Sequence, residues 1–500
     1  MKNKIIKGTI ILSAAGILTR LIGFYYRIFL AGTIGATGLG LYQMIFPVYG
    51  LCISFAVTGI EISISKYVAF YTAEHAPQKS LGILKSGLSI SLYLSILTSI
   101  VLYLASPFLA THFIGDQRCE VLLQLAAYAI PFCAIHGCII GYFLGKSQAS
   151  IPAIAQLSEQ VIRVLTVYLI SIFAFNQGHL SPKAAMAGLF SGEVASSLVC
   201  LIALISEKRK AKPEKYNYNH QIFSMAIPLS LSRVFTSLIL SSEAVLILRG
   251  LKSYGLSHDY AVSLYGVLTG MAMPFIFFPS TITGAISSMI LPSISEAQSA
   301  GNYHQIAKTT TTVVQYCFSI GIFFAALFYF TGDFIGIFLF QNADAGTYIS
   351  LLAWLCPFMY LGSTLSSVLN GLGLTKITSV INITVALTRI AMIFLFVPTY
   401  GIKGYLWGLL LNQILSAFLL LFFVKKYTHF KYRISQCIVI PCIISFCSIF
   451  PGILLFKFLM LKSGSSLLSL GCSIILSCGI FCLFLFKQKR METIFSNIFS

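Results

Sequence analysis

The chain has 500 residues, 57% hydrophobic and only 9% charged, with a formal net charge of +19 at pH 7. Soluble globular proteins carry roughly a quarter charged residues, so this composition excludes a soluble domain. Apolar runs of about twenty residues recur from end to end, long enough to cross a hydrocarbon core about 30 Å thick, and in lipid such runs form helices rather than barrel strands.

The pattern predicts an all-α integral membrane protein with about fourteen transmembrane helices. They lie near 8–31, 41–70, 84–108, 121–145, 152–175, 184–206, 220–248, 260–291, 307–330, 347–371, 377–398, 402–424, 435–457 and 465–486. The first follows Lys2, Lys4 and Lys7 and so imitates a secretory signal. It runs on through Arg20 and Arg27 without a small-x-small cleavage context, and reads as an uncleaved span. Between the first two spans "AGTIGATGLG" (31–40) holds four glycines and no charge, which predicts a flexible hairpin. "GYFLGKS" (141–147) imitates a phosphate-cradling loop, but has three residues between its glycines where that motif needs four. Pro47, Pro131, Pro274, Pro279 and Pro357 fall in span interiors, where proline kinks a helix and frees carbonyls.

Lys and Arg set the orientation. An even number of crossings puts both termini on one side, and that side holds 20 of the 33 basic residues, including "EKRKAKPEK" (207–215) and "KKYTHFKYR" (425–433); the opposite loops hold 7. The positive-inside rule then makes both termini cytoplasmic in a multi-pass cell-membrane protein. The net charge is this bias plus contact with an anionic leaflet rather than a nucleic-acid footprint. Thirteen cysteines are scattered; Cys437, Cys442 and Cys447 share no helix face, so no disulfide, metal or cofactor is expected. No Ser-His-Asp set, HExxH or paired carboxylates stand out, which argues against an enzyme.

The chain repeats itself at a shift of about 220 residues. "AYAIPF" (127–132) matches "AWLCPF" (353–358), Arg163 falls over Arg389, Glu193 over Gln413, and "LTRLIGF" (18–24) matches "LSRVFTS" (231–237), setting Arg20 over Arg233. The organisation expected is a six-helix bundle over 1–206, a basic linker over 207–219, a second bundle over 220–425, and two additional helices with a short tail over 426–500. Six spans per repeat keep the halves parallel, the arrangement of transporters whose site lies between halves and opens alternately to each side.

Ionisable groups inside spans are the candidate site. A central arginine costs about 2.5–3.5 kcal/mol on insertion scales, so each needs a partner, water or a ligand. Glu159 and Arg163, at i and i+4, read as a structural pair. Arg20 and Arg27 lie seven apart on one face, with no acid within a turn, and Arg233 is the repeat-mate of the first. Together they predict a basic cavity suited to an anion, bidentate arginine suiting phosphate best. Glu61, Glu243 and Glu193 are candidates for cavity or ion-coupling roles.

The stretch 7–69, with "TRLIGFYYRI" followed by "GLGLYQMIFPVYG", resembles the opening of the stage V sporulation protein B family. That family sits in the polysaccharide-transporter branch of the multidrug/oligosaccharidyl-lipid/polysaccharide flippase superfamily, and the resemblance runs over essentially the whole chain. It implies a flippase moving an undecaprenyl-linked sugar precursor of the cell wall, for sporulation members that of spore-cortex peptidoglycan. It implies diphosphate-binding roles for Arg20, Arg27 and Arg233, and a polyprenyl groove from the last two spans. The partners it implies are the membrane, a lipid-linked anionic glycan and cell-wall synthesis enzymes, with the protein acting as a monomer. Two alternatives stay open: a drug/cation antiporter using an acid such as Glu61 or Glu243, and a non-transporting scaffold for wall-synthesis enzymes.

Overall fold

A computed structural model describes residues 2–173, 180–208, 218–430, 435–463 and 466–498. Every regular element among them is helical. Most of the basic linker 207–219 and the end of the cluster at 425–433 lie outside the described residues. The chain forms two compact units, Met1–Gly270 and Met271–Ser500. Their boundary falls inside the eighth predicted span, so Arg233 belongs to the same unit as Arg20 and Arg27.

The first unit contains α1 (Lys2–Ile53), α2 (Gly59–Ala73), α3 (Pro77–Phe108), α4 (Cys119–Gly145), α5 (Ser150–Phe173), α6 (Pro182–Lys208), α7 (Asn219–Ser253) and α8 (His258–Gly266). A π-turn, Ser54–Thr58, joins α1 to α2, so the apolar stretch Ala14–Ala73 is 60 residues of helix interrupted at one kink. At 1.5 Å per residue that is about 90 Å, three times the hydrocarbon core, and it cannot cross only once. Its break is Gly35, at φ 70° and ψ 176°, a region essentially closed to residues with a Cβ. The expected flexible hairpin at 31–40 is therefore corrected to helix on both sides of one glycine. Two of the others serve contact instead: a Cβ on Gly40 would sit 2.2 Å from the Val262 carbonyl oxygen of α8, and one on Gly38 3.2 Å from Pro182.

Lipid tails are as apolar as leucine, so helices in a bilayer associate mainly by close packing at small residues. Gly141 and Gly145 of α4 do this against α2, where an added Cβ would lie 2.5 Å from the carbonyl oxygens of Glu61 and Ser65. Ile60, Ile64 and Val68 of α2 fill the adjoining core with Leu84, Tyr142 and Ile222. Gly188 and Gly192 of α6 lie against the Arg163 and Glu159 carbonyls of α5. Outward faces carry bare apolar side chains such as Phe173, 87% exposed, as a lipid-facing surface requires.

The second unit contains α9 (Met273–Phe277), α10 (Ser280–Ser299), α11 (Tyr303–Phe340), α12 (Ala343–Leu352), α13 (Cys356–Gly371), α14 (Thr375–Thr428), α15 (Ile440–Ser463) and α16 (Ser466–Ile498). The span expected as one helix over 260–291 is broken by a π-turn at Val267–Ala272 and again at Phe278–Pro279, ahead of α10. Pro274 and Pro279 explain this, since neither can donate to the preceding turn. α14 repeats the device of α1: 54 residues broken at Gly401, φ 60° and ψ −145°. Among the described residues twelve runs are long and apolar enough to cross a membrane, and the two with glycine breaks are long enough to cross twice, which accounts for about fourteen crossings. The core here joins Ile294, Val314, Leu361, Leu365, Ile381 and Leu420. Between α11, α15 and α16 lies an apolar groove of about 240 Å³, bordered by Phe330, Phe334, Ile453 and Phe456, with Lys457 among its lining residues.

Candidate functional site

All eight site residues expected from the sequence fall in the first unit. The site starts with α5. Arg163 donates to Glu159 one turn earlier, and both are largely buried, at 15% and 22% side-chain exposure. The α6 glycines noted above press on the backbone of these same two residues, so α5 and α6 meet around this pair.

Directly after Gly192 on α6, Glu193 is 6% exposed and fully engaged. The Tyr49 hydroxyl of α1 donates to its Oε1 at 3.2 Å, and His136 Nε2 of α4 lies 2.6 Å from its Oε2. Two contacts fix α6 on α4 at this depth. The Ser197 hydroxyl donates to the Phe132 carbonyl at 2.7 Å, and Phe190 meets Phe132 edge-on with ring centroids 5.6 Å apart. Residues 190, 193 and 197 share one helix face, so Glu193 is held between two anchors.

Electrostatic neighbours extend this cluster to both sides. Tyr42 of α1 stands within reach of Arg163, Glu159 and Arg27. Glu61 of α2 stands within reach of His136 and Arg233. Its carboxylate lies over α4, 3.7 Å from where a Gly137 Cβ would be. α7 packs on this region through Ser237, whose hydroxyl is 3.0 Å from that of Ser54, and through Ser230, whose oxygen would be 2.3 Å from a Cβ on Gly59. Arg233 lies at i−4 from Ser237 and i+3 from Ser230, so it shares the α7 face turned to α2.

The charges thus sort into two groups. Glu159 and Glu193 are matched by protein donors. Arg27 is half-buried and Arg233 exposed, and among the described residues neither has a carboxylate within 4 Å. Arg20 is exposed on α1. Glu243 is buried in α7, with Tyr265 of α8 as an ionisable neighbour. Sequence reading missed His136, Tyr42 and Tyr49. The available signal for the first was an ionisable side chain inside an apolar span, which by itself marks a functional candidate.

A second charged cluster ties the α3–α4 turn to the start of α8. Asp116, 5% exposed, accepts from Arg118 Nη2 at 2.7 Å and faces His258 Nε2 at 2.8 Å; Arg118 Nη2 also reaches Asp259 at 2.6 Å. Burial pushes the Asp116 carboxyl up, but hydrogen bonds from Arg118 and His258 outweigh it and hold the group below the usual carboxylate range. The same bond to Asp116 raises the Arg118 guanidinium above its ordinary value.

A family model described as polysaccharide biosynthesis protein matches residues 5–298, and one described as MatE matches 234–395. The stage V sporulation protein B of Bacillus subtilis (strain 168) is 28% identical over 448 residues, covering 87% of this chain and 86% of that protein. Among solved structures, the lipid II flippase MurJ in an inward closed conformation covers 96% of this chain and 100% of its own, with a TM-score of 0.69 at 17% identity. An inward-facing multidrug resistance MATE family transporter of the MOP superfamily also reaches 0.69, at 15% identity, covering 83% of this chain and 94% of its own. The two solved structures are a flippase and a transporter by name. The first match spans more than half of the sequence, and the chain belongs to the polysaccharide biosynthesis protein family.

Proposed function

We propose that this protein carries a lipid-linked anionic sugar precursor for cell-wall or spore-cortex polymer from one leaflet to the other by alternating access. The observation that carries the reading is the sorting of charge. The buried acids at 159 and 193 are matched by Arg163, His136 and Tyr49, while Arg27 and Arg233 have no carboxylate within 4 Å among the described residues. A diphosphate supplies the missing counter-charge, and two guanidiniums on different helices hold it more specifically than lysines would. Arg20, further along α1, is assigned to the same headgroup. The apolar groove of α11, α15 and α16 suits a polyprenyl tail, which stays in hydrocarbon while its headgroup crosses. The names of the relatives, a sporulation protein and a lipid II flippase, agree with this substrate class. Both termini are assigned to the cytoplasm from the lysine and arginine bias.

The test is leaflet accessibility of a fluorescent undecaprenyl-diphosphate sugar in proteoliposomes. A hydrogen bond to a charged group is worth about 1.5–3 kcal/mol, so Arg27→Ala and Arg233→Ala each predict a loss of about tenfold to a hundredfold in flipping rate. Full activity in both variants overturns the proposal. The MatE match keeps a cation antiporter as the second reading. It predicts proton- or sodium-driven dye efflux abolished by Glu61→Gln, with no change in lipid flipping.

A further inference from the structure

No metal is expected from the spacing of Cys437, Cys442 and Cys447, which share no helix face. The fold assembles a ligand set from two helices. Cys133 and His136 are three apart on α4 and so lie on one face. Glu193 of α6 faces them, and the ligand atoms of the three all lie within 4.8 Å of one another. We propose that Cys133, His136 and Glu193 form a binding site for a divalent transition cation of the zinc class.

The chemistry selects that class. Thiolate and imidazole favour zinc and its neighbours, whereas sodium, magnesium and calcium require oxygen ligands. Charge closes as well: a thiolate and a carboxylate neutralise a divalent ion, while Arg163 is already matched by Glu159. Tyr49 holds the Glu193 Oε1 and leaves Oε2 on the side of His136, the kind of outer hydrogen bond that orients a ligating carboxylate. Nε2 is the ring nitrogen that faces Glu193 and so the one placed to bind the ion. At bond lengths of about 2.0–2.3 Å, tetrahedral ligand atoms sit about 3.4 Å apart. The 2.6 Å contact between His136 and Glu193 must open by about 1 Å, and Cys133, within 4.8 Å of both, has at most about 1.4 Å to close, both within side-chain rotation. Three protein ligands leave a fourth position for water. Binding would cross-link α4 to α6 beside the paired charges of α5.

The experiment uses the full chain in detergent micelles, stripped with chelator and titrated with Co²⁺, with Zn²⁺ uptake measured by elemental analysis after desalting. Wild type is expected to take up one ion per chain and to show a thiolate-to-cobalt charge-transfer band in the near ultraviolet. Cys133→Ser, close to isosteric, should lose that band while eluting as the same monodisperse species. His136→Gln and Glu193→Gln should weaken binding by about tenfold or more. A large excess of Mg²⁺ should not displace Co²⁺. No saturable uptake, uptake without a thiolate band, or a band that survives Cys133→Ser each overturns the proposal. The outcome is independent of lipid flipping, so it leaves the proposed substrate untouched.

Discussion

Replacing Arg163 with methionine tests whether the α5 pair is what makes buried acid tolerable in the first unit. The guanidinium is 15% exposed and its partner carboxylate 22%. Removing one partner of a buried pair leaves an uncompensated charge and costs about 3–5 kcal/mol, whereas replacing both with neutral groups of similar volume is often close to neutral. Arg163→Met is therefore expected to lower thermal stability sharply, and the double variant Arg163→Met/Glu159→Gln to recover most of the loss. The coupling should exceed about 2 kcal/mol, because among the described residues Arg163 is the cation within 4 Å of Glu159 and both side chains are largely buried. The assay is a double-mutant cycle read by fluorescence-detected size exclusion after heating in detergent. If the double variant is as unstable as Arg163→Met alone, the arginine acts by packing against Gly188 and Gly192, and the charge argument is wrong.

Three further outcomes follow from the geometry. Asp116 has a depressed folded pKa, so its contribution to stability is full above the unfolded carboxylate value near 4 and is lost as pH falls through the lower folded value. Thermal melts taken from about pH 5 down to pH 2 should show an acid-labile component that Asp116→Asn removes; an unchanged acid profile refutes the linkage. Gly35→Ala should cost about 1–3 kcal/mol because its backbone is closed to a Cβ, while Gly16→Ala, in a helix with open space around it, should stabilise by up to about 1 kcal/mol; equal melting temperatures for the two would refute the assignment of the break. Gly452→Leu should separate α15 from α16, since a Cβ there already falls 2.0 Å from the Ser477 hydroxyl oxygen, and should slow flipping of a polyprenyl substrate more than of a short-chain analogue.

What the sequence showed and hid follows sequence distance. Spans were legible because each is a local composition, and the Glu159–Arg163 contact because it closes over a single helical turn. The partners of Glu193 were not legible, since His136 is 57 residues away and Tyr49 is 144 residues away. The same holds for His258 on Asp116, at a separation of 142. Glycines misled for a different reason. In 31–40 they suggested looseness, yet Gly40 is a contact point for a neighbouring backbone and only Gly35 needs its freedom. A glycine in water-facing sequence raises chain entropy, but in lipid the same residue is how helices approach.

The sorting of charges also bears on how a carrier avoids cycling empty. An arginine in a hydrated cleft is solvated, but any step that occludes the cleft removes that water and exposes a cost of about 2.5–3.5 kcal/mol per guanidinium. Under the proposed reading, Arg27 and Arg233 have no carboxylate within 4 Å among the described residues and Arg233 has only the more distant Glu61, so occlusion without ligand carries up to about 5–7 kcal/mol, at that limit a slowing of several thousandfold or more. A bound diphosphate cancels that term. Had Glu159 or Glu193 been available to either arginine, the empty carrier could have neutralised itself and turned over without cargo. Matching those acids to Arg163, His136 and Tyr49 removes the short circuit, which gives the buried network a reason to exist beside a site it does not enter.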